Sequence, residues 1–561
     1  MQLSFYYFGG TNVKPYPYYQ TRTVTRIKDI VAYRIENTPE KDAFRVRVDA
    51  KNYKGVTWRQ FDGDINHFGS ALAAKGLQGA HIGVVGENSY EWMLTYFTAL
   101  CGAGVIVPLD RELPADRLCG LIALADVSVL VFSAAQAKKI EAIKEQLPQV
   151  KEFICMADSA DFTPLSAVLA AGKTAFEKDA SFADVSPGPE KLAAIYFTSG
   201  TSGLPKGVML SQKNMVASFD GAVRHVHYTD DDVFLSVLPL HHAYESNCGI
   251  LAILHSGSTI CFNENLKLFL SNLQLFRPTA MALVPLIADT LFKQIMDSAK
   301  KSGKLKKLET GMKLAGFFKK LKIDLAERLF GEVHAALGGR LKKCFVGGAP
   351  MNPAVTAAFR KLGIVMLQGY GITECSPLVA VNRENFYKDD SVGPVLPVCR
   401  VKIEDGEVLV RGDNVMMGYY KDEAATNEVF ADGWFKTGDL GRLDADGFLY
   451  ITGRKKNLII LDSGENVSPE ELEGYIINLP LAREVAVYEN GGEITAEIWP
   501  DEDYAKENGV TEIETALSAQ VAEINRGLPR YKHVLAVRLR DVEFEKNTSK
   551  KIIRYKLNKG D

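Results

Sequence analysis

Residues 196–211 read YFTSGTSGLPKGVMLS and combine groups that could hold phosphate. Backbone N–H groups freed by glycine, hydroxyl side chains and a mobile lysine are donors that phosphate oxygens accept. A P-loop would place Ser or Thr next to the lysine and run into a helix, whereas Gly207 and Val208 follow the lysine here. Taken alone, a turn of this composition is better interpreted as a plain linker. The candidate phosphate ligands are Thr198, Ser199, Gly200, Thr201, Ser202, Gly203 and Lys206.

The segments around this loop predict the elements that hold it. The apolar run before it, LAAIYF, is suited to a buried strand, and GVMLS after it predicts a second short strand. Ser211 is expected to cap the helix that begins with QKNMVASF. Strands and helices alternate from residue 24 to about residue 185. This alternation predicts a layered α/β architecture.

The character of the chain changes after Arg454, where a new set of strands and helices begins. The runs EVAVYEN, EITAEIWP and VLAVRLR predict strands of a small α+β unit. We therefore expect a large domain of layered α/β subdomains over residues 1–454 and a small, mobile domain over residues 455–561.

Composition excludes several function classes. Lys and Arg total 66 and Asp and Glu total 69, so the net charge of −3 argues against a general nucleic-acid binder. The eight cysteines are scattered, with neither a CxxC pair nor metal spacing. The first residues lack the pattern of a secretory signal. A cytoplasmic location is expected.

Residues 299–322 contain nine lysines and one acidic residue. Leu314, Phe317, Phe318 and Leu321 recur among them at helical spacing. A solvated surface helix is the favoured interpretation. The alternative is a basic amphipathic segment that makes weak contact with anionic lipid, which would place the protein peripherally at the inner membrane surface.

The phosphate loop is followed by further motifs in a fixed order along the chain. Together they resemble the ANL superfamily, the AMP-forming acyl-CoA synthetases with their luciferase and peptide-synthetase relatives. The loop matches the superfamily signature from Phe197 to Gly207, and the resemblance spans roughly residues 80 to 555. The later motifs are LPLHHAYE, VGGAPMNP, QGYGITE, GWFKTGDL, ITGRKKNLII, SGENVSPEELE and KNTSKKIIR.

The resemblance implies a two-step reaction that uses ATP, Mg²⁺ and CoA. A carboxylic acid attacks the α-phosphate of ATP to give an acyl-adenylate and pyrophosphate, and a thiol then displaces AMP. By resemblance, Thr373 bonds the α-phosphate and Glu374 holds the metal, which prefers hard oxygen ligands. Asp439 accepts the ribose hydroxyls with assistance from Arg454. The walls of the adenine slot are formed by Tyr370, Gly371, Gly348 and Ala349.

The resemblance also assigns residues to catalysis and to domain movement. His242 takes the position near the substrate carboxylate and the thiol path. Lys551 takes that of the catalytic lysine, with Lys550 as a rival because the family glycine before the lysine is replaced. Lys456 occupies the hinge position, and Gly464 would let the thiol pass close to the backbone.

The acid is best interpreted as a long-chain fatty acid. No Asp follows His242 to hold an amino group, and Glu245 gives the pattern LPLxHxxE of long-chain fatty acyl-CoA synthetases. Three alternatives remain open. They are a ligase that loads an acyl carrier protein, an aryl or medium-chain acid–CoA ligase, and a catalytically silent nucleotide- or acyl-binding regulator, to which Asn547 and Lys550 would point.

Overall fold

The computed structural model describes residues 17–198, 205–321, 323, 325–461, 465–546 and 552–557. Strands are numbered along the chain. They are β1 Asp42–Arg47, β2 Tyr53–Thr57, β3 Ala80–Val85, β4 Gly104–Leu109, β5 Val127–Phe132, β6 Glu152–Cys155, β7 Thr163–Pro164, β8 Leu192–Thr198, β9 Lys206–Ser211, β10 Val233–Ser236, β11 Thr259–Phe262, β12 Ala280–Leu283, β13 Lys343–Val346, β14 Val365–Gly371, β15 Leu378–Val381, β16 Cys399–Glu404, β17 Glu407–Gly412, β18 Gly418–Tyr419, β19 Phe430–Ala431, β20 Trp434–Leu443, β21 Leu449–Arg454, β22 Ile459–Ile460, β23 Asn466–Val467, β24 Ala482–Asn490, β25 Glu493–Pro500 and β26 Ala536–Leu539.

The α-helices are numbered in the same way. They are α1 Lys28–Asn37, α2 Trp58–Ala74, α3 Tyr90–Thr98, α4 Ala115–Leu124, α5 Ala137–Ile143, α6 Leu165–Lys178, α7 Gln212–His225, α8 Ala252–Ser256, α9 Phe269–Phe276, α10 Pro285–Lys301, α11 Leu305–Lys320, α12 Ala326–Leu329, α13 Gly331–Ala336, α14 Pro353–Lys361, α15 Glu423–Val429, α16 Pro469–Ile476, α17 Glu502–Glu507 and α18 Ile513–Arg526. A π-helical segment, Tyr244–Leu251, precedes α8.

Two eight-stranded sheets each have a parallel centre; both edge strands of the first sheet pair antiparallel, whereas in the second only the β18-β9-β8 side is antiparallel and β7 pairs parallel with β6. The first runs β15-β14-β13-β12-β10-β11-β1-β2, and the second runs β18-β9-β8-β4-β3-β5-β6-β7. Central strands such as β5 (VSVLVF) are apolar on both faces because helices cover both sides of a parallel sheet. The predicted layered α/β architecture is confirmed.

One hydrophobic core takes side chains from both sheets. Phe44 and Phe234 come from the first sheet, and Val84 and Ile106 come from the second. Aromatic residues of α2, α3 and α7 complete it, including Phe61, Phe97 and Phe219. Because one core spans the two sheets, their strand ends keep a fixed relative position.

The elements predicted around the phosphate loop are confirmed. β8 and β9 pair antiparallel, with Thr198 opposite Lys206, and the loop residues 199–204 between them lie outside the described residues. Ser211 caps α7 by accepting a hydrogen bond from the Asn214 N–H, and the Asn214 side chain accepts one from the Ser211 N–H in return. This capping box fixes where the second strand ends and the helix begins.

The C-terminal segment has its own sheet and core. β24, β25 and β26 form a three-stranded sheet, packed with α16 and α18 around a separate cluster that includes Val487, Ala496, Leu517 and Val521. The strands predicted from EVAVYEN, EITAEIWP and VLAVRLR are therefore present. The domain boundary between residues 454 and 455 stays a prediction.

Two ion pairs connect α10 with the C-terminal segment. Lys293 Nζ lies 2.8 Å from Asp501 Oδ2, and Lys300 Nζ lies 2.5 Å from Glu507 Oε2. Both lysines are about half exposed. Within the described parts of the chain, no helix has the length and apolar character needed to cross a bilayer.

Candidate active site

Asp439 lies at the centre of a buried polar cluster. Its side chain is 5% exposed, and its two oxygens have different partners. The Tyr370 hydroxyl donates to Oδ2 at 2.6 Å, and the Arg454 Nε group lies 2.7 Å from Oδ1. The β20–β21 register places Asp439 directly opposite Arg454. The three residues predicted to bind nucleoside therefore lie together.

The turn before Asp439 is held in place by Glu407. Gly438 has a φ of 69°, a conformation that favours glycine, and its N–H donates to Glu407 Oε1 at 3.0 Å. Lys455 Nζ bonds the other oxygen of the same carboxylate at 2.8 Å. The Asp439 N–H donates to the Thr437 hydroxyl at 3.0 Å. These bonds fix the direction of the Asp439 side chain.

Electrostatics keep Tyr370 protonated. Burial raises the pKa of Tyr370 well above its usual value, and the neighbouring Asp439 carboxylate raises it further. Tyr370 is therefore a hydroxyl donor at every physiological pH, and its hydrogen bond to the carboxylate orients the aromatic ring. An oriented ring beside a carboxylate suits a nucleoside, because the base can stack while the ribose hydroxyls donate.

The predicted adenine walls follow two neighbouring strands. β13 and β14 are parallel, with Val346 opposite Gln368, so the turns that follow them meet at one edge of the sheet. Gly348, with a φ of 85°, and Ala349 lie exposed in the first turn. At the last residue of β14, a Cβ on Gly371 would lie 2.3 Å from the Pro377 carbonyl oxygen, so only glycine fits.

Thr373 and Glu374 lie in the turn after β14. Tyr419 connects Glu374 with Lys206, the first residue of β9. The Tyr419 hydroxyl donates to Glu374 Oε1 at 3.0 Å. The Lys206 Nζ atom lies 4.8 Å from the centroid of the Tyr419 ring. Tyr419 can occupy this place because β18 pairs with β9, with Tyr419 opposite Val208.

The sequence analysis missed Tyr419. Its segment, GYYKDE, carries no spacing that suggests chemistry, and its partners are 45 and more than 200 residues away in the chain. Only the pairing of β18 with β9 brings it to the site. No local signal in the sequence could have identified it.

His242, which is predicted to lie near the reacting carboxylate, is next to His241 in the chain, and the two rings are tilted by 49°. Their ring centroids are 4.1 Å apart, and His241 Nε2 lies 3.7 Å from Asp110 Oδ2. Burial lowers the pKa of His241 well below its usual value, and the neighbouring His242 and Arg111 lower it further. His241 is therefore neutral at physiological pH. The role assigned to His242 stays a prediction.

A chain of buried hydroxyl groups connects β8, the strand before the phosphate loop, with the backbone of His242. Tyr96 and Tyr196 bond through their hydroxyls at 2.9 Å, and Tyr196 bonds the Ser246 hydroxyl at 2.8 Å. Ser246 donates in turn to the His242 carbonyl oxygen at 3.1 Å. Tyr196 lies on β8, so the chain ties the base of the phosphate loop to the π-helical segment. Such segments are frequent at functional sites.

Glu245 is fully buried in this π-helical segment. Burial raises the pKa of its carboxyl group to about 8, so the neutral acid predominates at pH 7. Glu245 completes the motif LPLxHxxE, which is one reason to expect a long-chain fatty acid as the substrate. A neutral carboxyl adds no charge to the interior where it lies.

Several predicted residues fall outside the described residues: Ser199, Gly200, Thr201, Ser202, Gly203, Gly464, Lys550 and Lys551. The flanks of the lysine segment are described. Lys546 forms a β-bridge with Ile552, and both Nη2 contacts of Arg554 to the Glu473 carboxylate are 2.6 Å long. Lys456, the predicted hinge, lies exposed in the short turn that follows Arg454.

The donors present fit magnesium bound together with a nucleotide. Among the described residues there is no group of three His, Cys, Asp or Glu side chains that could hold a metal alone. Mg²⁺ is usually bound through one or two carboxylates, substrate phosphates and water. Glu374, partly exposed and with only Oε1 bonded by Tyr419, can supply one such carboxylate oxygen.

Comparison with known proteins gives consistent similarities. A family model described as AMP-binding enzyme matches residues 31–420. A long-chain-fatty-acid–CoA ligase of Mycobacterium bovis, FadD15, is 31% identical over 451 residues, which cover 77% of this chain and 75% of the relative. Long-chain-fatty-acid–CoA ligase 5 of Rattus norvegicus is 29% identical, over 75% of this chain and 67% of the relative.

The fold is also similar to that of solved structures. The anthranilate CoA ligase AuaEII, in complex with anthranoyl-AMP, superposes with a TM-score of 0.76 at 18% identity and covers 97% of each chain. At this level of identity the likeness establishes the fold alone.

Proposed function

The chain belongs to the AMP-binding enzyme family, and we propose that it joins a long-chain fatty acid to CoA at the expense of ATP, with an acyl-adenylate as intermediate. The family resemblance inferred from the ordered motifs is confirmed by the match over residues 31–420. ATP is the nucleotide that the motifs demand. A magnesium ion at Glu374 is part of the proposal.

The buried cluster of Asp439, Tyr370 and Arg454 is the observation that carries the proposal. A carboxylate whose oxygens already accept from donors at 2.6 Å and 2.7 Å can accept from the two hydroxyls of a ribose as well, because each oxygen has a second lone pair. The ring of Tyr370 is then fixed beside the base. An ordinary structural aspartate would not need an aromatic hydroxyl and an arginine converging on it in a water-poor site.

The proposed reaction proceeds in two balanced steps. A carboxylate oxygen of the fatty acid bonds to the α-phosphorus of ATP as the bond to pyrophosphate breaks. The CoA thiol then loses its proton and bonds to the acyl carbon, and AMP leaves with the electron pair of the broken bond. Lys206, Thr373 and Lys551 would stabilise the negative charge on the phosphate oxygens. Magnesium held by Glu374 would supply further charge neutralisation.

Long-chain acids are favoured by two observations. The relatives from Mycobacterium bovis and Rattus norvegicus are long-chain-fatty-acid–CoA ligases, and Glu245 gives this chain the motif LPLxHxxE. An aryl acid is the second candidate, since AuaEII, which has the same fold, is an anthranilate CoA ligase. Loading of a carrier protein would use the same first step with a different thiol.

The proposal is tested by AMP release from the purified protein with ATP, Mg²⁺ and CoA. The acids range from acetate to oleate, with benzoate and several amino acids beside them. We expect the rate to be highest with dodecanoate or longer acids and to require CoA. Pyrophosphate release without acyl-CoA would redirect the proposal to a carrier protein. ATP binding without turnover of any acid would contradict the enzyme and favour a regulator.

We further propose that α11 touches anionic membrane surfaces. The helix leaves an apolar stripe exposed, with Leu314 46%, Phe317 61% and Leu321 57% exposed. Lys306, Lys307 and Lys313 are exposed on the same helix. Apolar side chains flanked by lysines favour an anionic lipid interface, where a fatty acid would also reside. The single short stripe predicts weak, reversible contact.

Replacing Phe317 with Glu is expected to reduce binding to vesicles that contain phosphatidylglycerol by about tenfold, because an apolar contact is lost and a like charge is added. Cosedimentation at low salt measures the change. Leu124→Glu, at an exposed position of α4, is the matched control and should bind as the unmodified protein does. Equal loss in both variants, or equal binding to vesicles of phosphatidylcholine alone, would contradict a specific role of α11.

A further inference from the structure

We propose that Tyr419 is a positioning residue that holds Glu374 and Lys206 in place before the nucleotide arrives. The inference rests on the proposed function, in which Glu374 binds magnesium and Lys206 binds phosphate. It adds a residue that none of the motifs contains. Tyr419 would contact neither the magnesium ion nor the phosphates, but it would position Glu374 and Lys206, which do.

The backbone of Tyr419 is held from both sides. β18 pairs with β9, the strand that begins with Lys206, and places Tyr419 opposite Val208. The Tyr419 N–H donates to the Thr426 hydroxyl at 2.9 Å, and the side chain is buried, with the residue 6% exposed. The ring therefore has one direction to point, toward the turn after β14.

Residues 416 and 419 together hold Glu374. The Met416 N–H donates to the Glu374 carbonyl oxygen at 2.8 Å, while the Tyr419 hydroxyl donates to Oε1 at 3.0 Å. One bond fixes the main chain and the other fixes the carboxylate. Because the Tyr419 hydroxyl bonds Oε1, Oε2 is the oxygen that we assign to the metal.

Tyr419 also faces the lysine of the phosphate loop. The Lys206 Nζ atom lies 4.8 Å from the ring centroid, a distance at which an ammonium group is attracted to an aromatic face. Lys206 is the first residue of β9. The aromatic face holds the ammonium group only weakly, so phosphate oxygens can readily replace the ring as its partner.

Removal of the hydroxyl alone should weaken metal binding while folding is retained. In Tyr419→Phe the ring remains below Lys206, but the Glu374 carboxylate loses its donor and becomes free to rotate. We expect the Mg²⁺ concentration for half-maximal AMP release to rise about tenfold, with the KM for the fatty acid unchanged. The melting temperature should stay close to that of the unmodified protein.

A binding measurement separates this role from an effect on turnover. Titration calorimetry with a non-hydrolysable ATP analogue, with and without Mg²⁺, gives the gain in affinity that the metal provides. This gain should fall about tenfold in Tyr419→Phe. Tyr420→Phe is the matched control, because it removes the hydroxyl of the adjacent residue, which donates to Asp126 at 2.7 Å. The control should keep the full gain.

Glu374→Gln distinguishes failure of this inference from failure of the proposed function. If Glu374→Gln loses the magnesium-dependent gain and Tyr419→Phe retains it, the positioning role of Tyr419 is wrong. If Glu374→Gln also retains the gain, the proposed metal ligand itself is wrong. An equal loss in Tyr419→Phe and Tyr420→Phe would overturn the inference as well, because it would indicate a general disturbance of β18.

Discussion

Replacement of Asp439 by Asn is expected to raise the KM for ATP about 100-fold, equivalent to about 2.7 kcal/mol. The magnitude follows from the loss of charge at a carboxylate that would accept two ribose hydroxyls, since a hydrogen bond to a charged group contributes about 1.5–3 kcal/mol. The side chain keeps its size, so packing around Tyr370 is preserved. Steady-state AMP release at saturating acid and CoA measures the change.

The control for Asp439 lies on the same pair of strands. Asp444 follows β20 and bonds Lys388 at 2.6 Å on the outer part of the hairpin. Asp444→Asn should leave the KM for ATP unchanged while carrying the same loss of one negative charge. If both variants raise the KM equally, the effect comes from the hairpin or from the net charge, and Asp439 does not bind the nucleotide.

Replacement of Lys551 by Ala is expected to slow acyl-adenylate formation by about 10²–10³-fold, the range typical for removing one donor that stabilises transition-state charge. ATP–pyrophosphate exchange measures this step. The second step, started from synthetic acyl-adenylate and CoA, should change little. We expect this contrast because the lysine would stabilise charge at the α-phosphate during attack of the acid, whereas in the second step the thiol attacks the acyl carbon.

Lys550→Ala is the matched variant for Lys551, with the same loss of a lysine at the neighbouring position. It should retain exchange within a few-fold. If Lys550→Ala loses exchange and Lys551→Ala does not, the assignment of the catalytic lysine moves by one residue. We expect both variants to fold, because the residues on either side of the two lysines are anchored. Lys546 pairs with Glu484, and Arg554 holds Glu473 with two 2.6 Å contacts.

What the sequence could predict depended on how local the determining contacts are. Strands β8 and β9 and the cap at Ser211 were predicted correctly, because their signals lie within a dozen neighbouring residues. The layered α/β class followed from alternation, which is also local. The family resemblance then identified Asp439 and Arg454, and the structure places them opposite each other.

Contacts between distant segments could not be predicted. The hydrogen bond of Tyr370 to Asp439 joins residues 69 positions apart, and its direction depends on how β14 lies against β20. The bond of Tyr419 to Glu374 depends in the same way on the pairing of β18 with β9. Spacing along the chain carries no information about such pairs. They emerge only when the whole sheet order is known.

The ion pairs that join α10 to Asp501 and Glu507 would affect the movement that we predict for the C-terminal segment. Exposed pairs of this kind contribute at most about 1 kcal/mol each, and dissolved salt screens them. The two contacts of Lys293 and Lys300 therefore stabilise the observed arrangement only weakly, and thermal energy is enough to break them. Ionic strength would set how firmly the segment rests there, and hence how often it leaves to visit another arrangement.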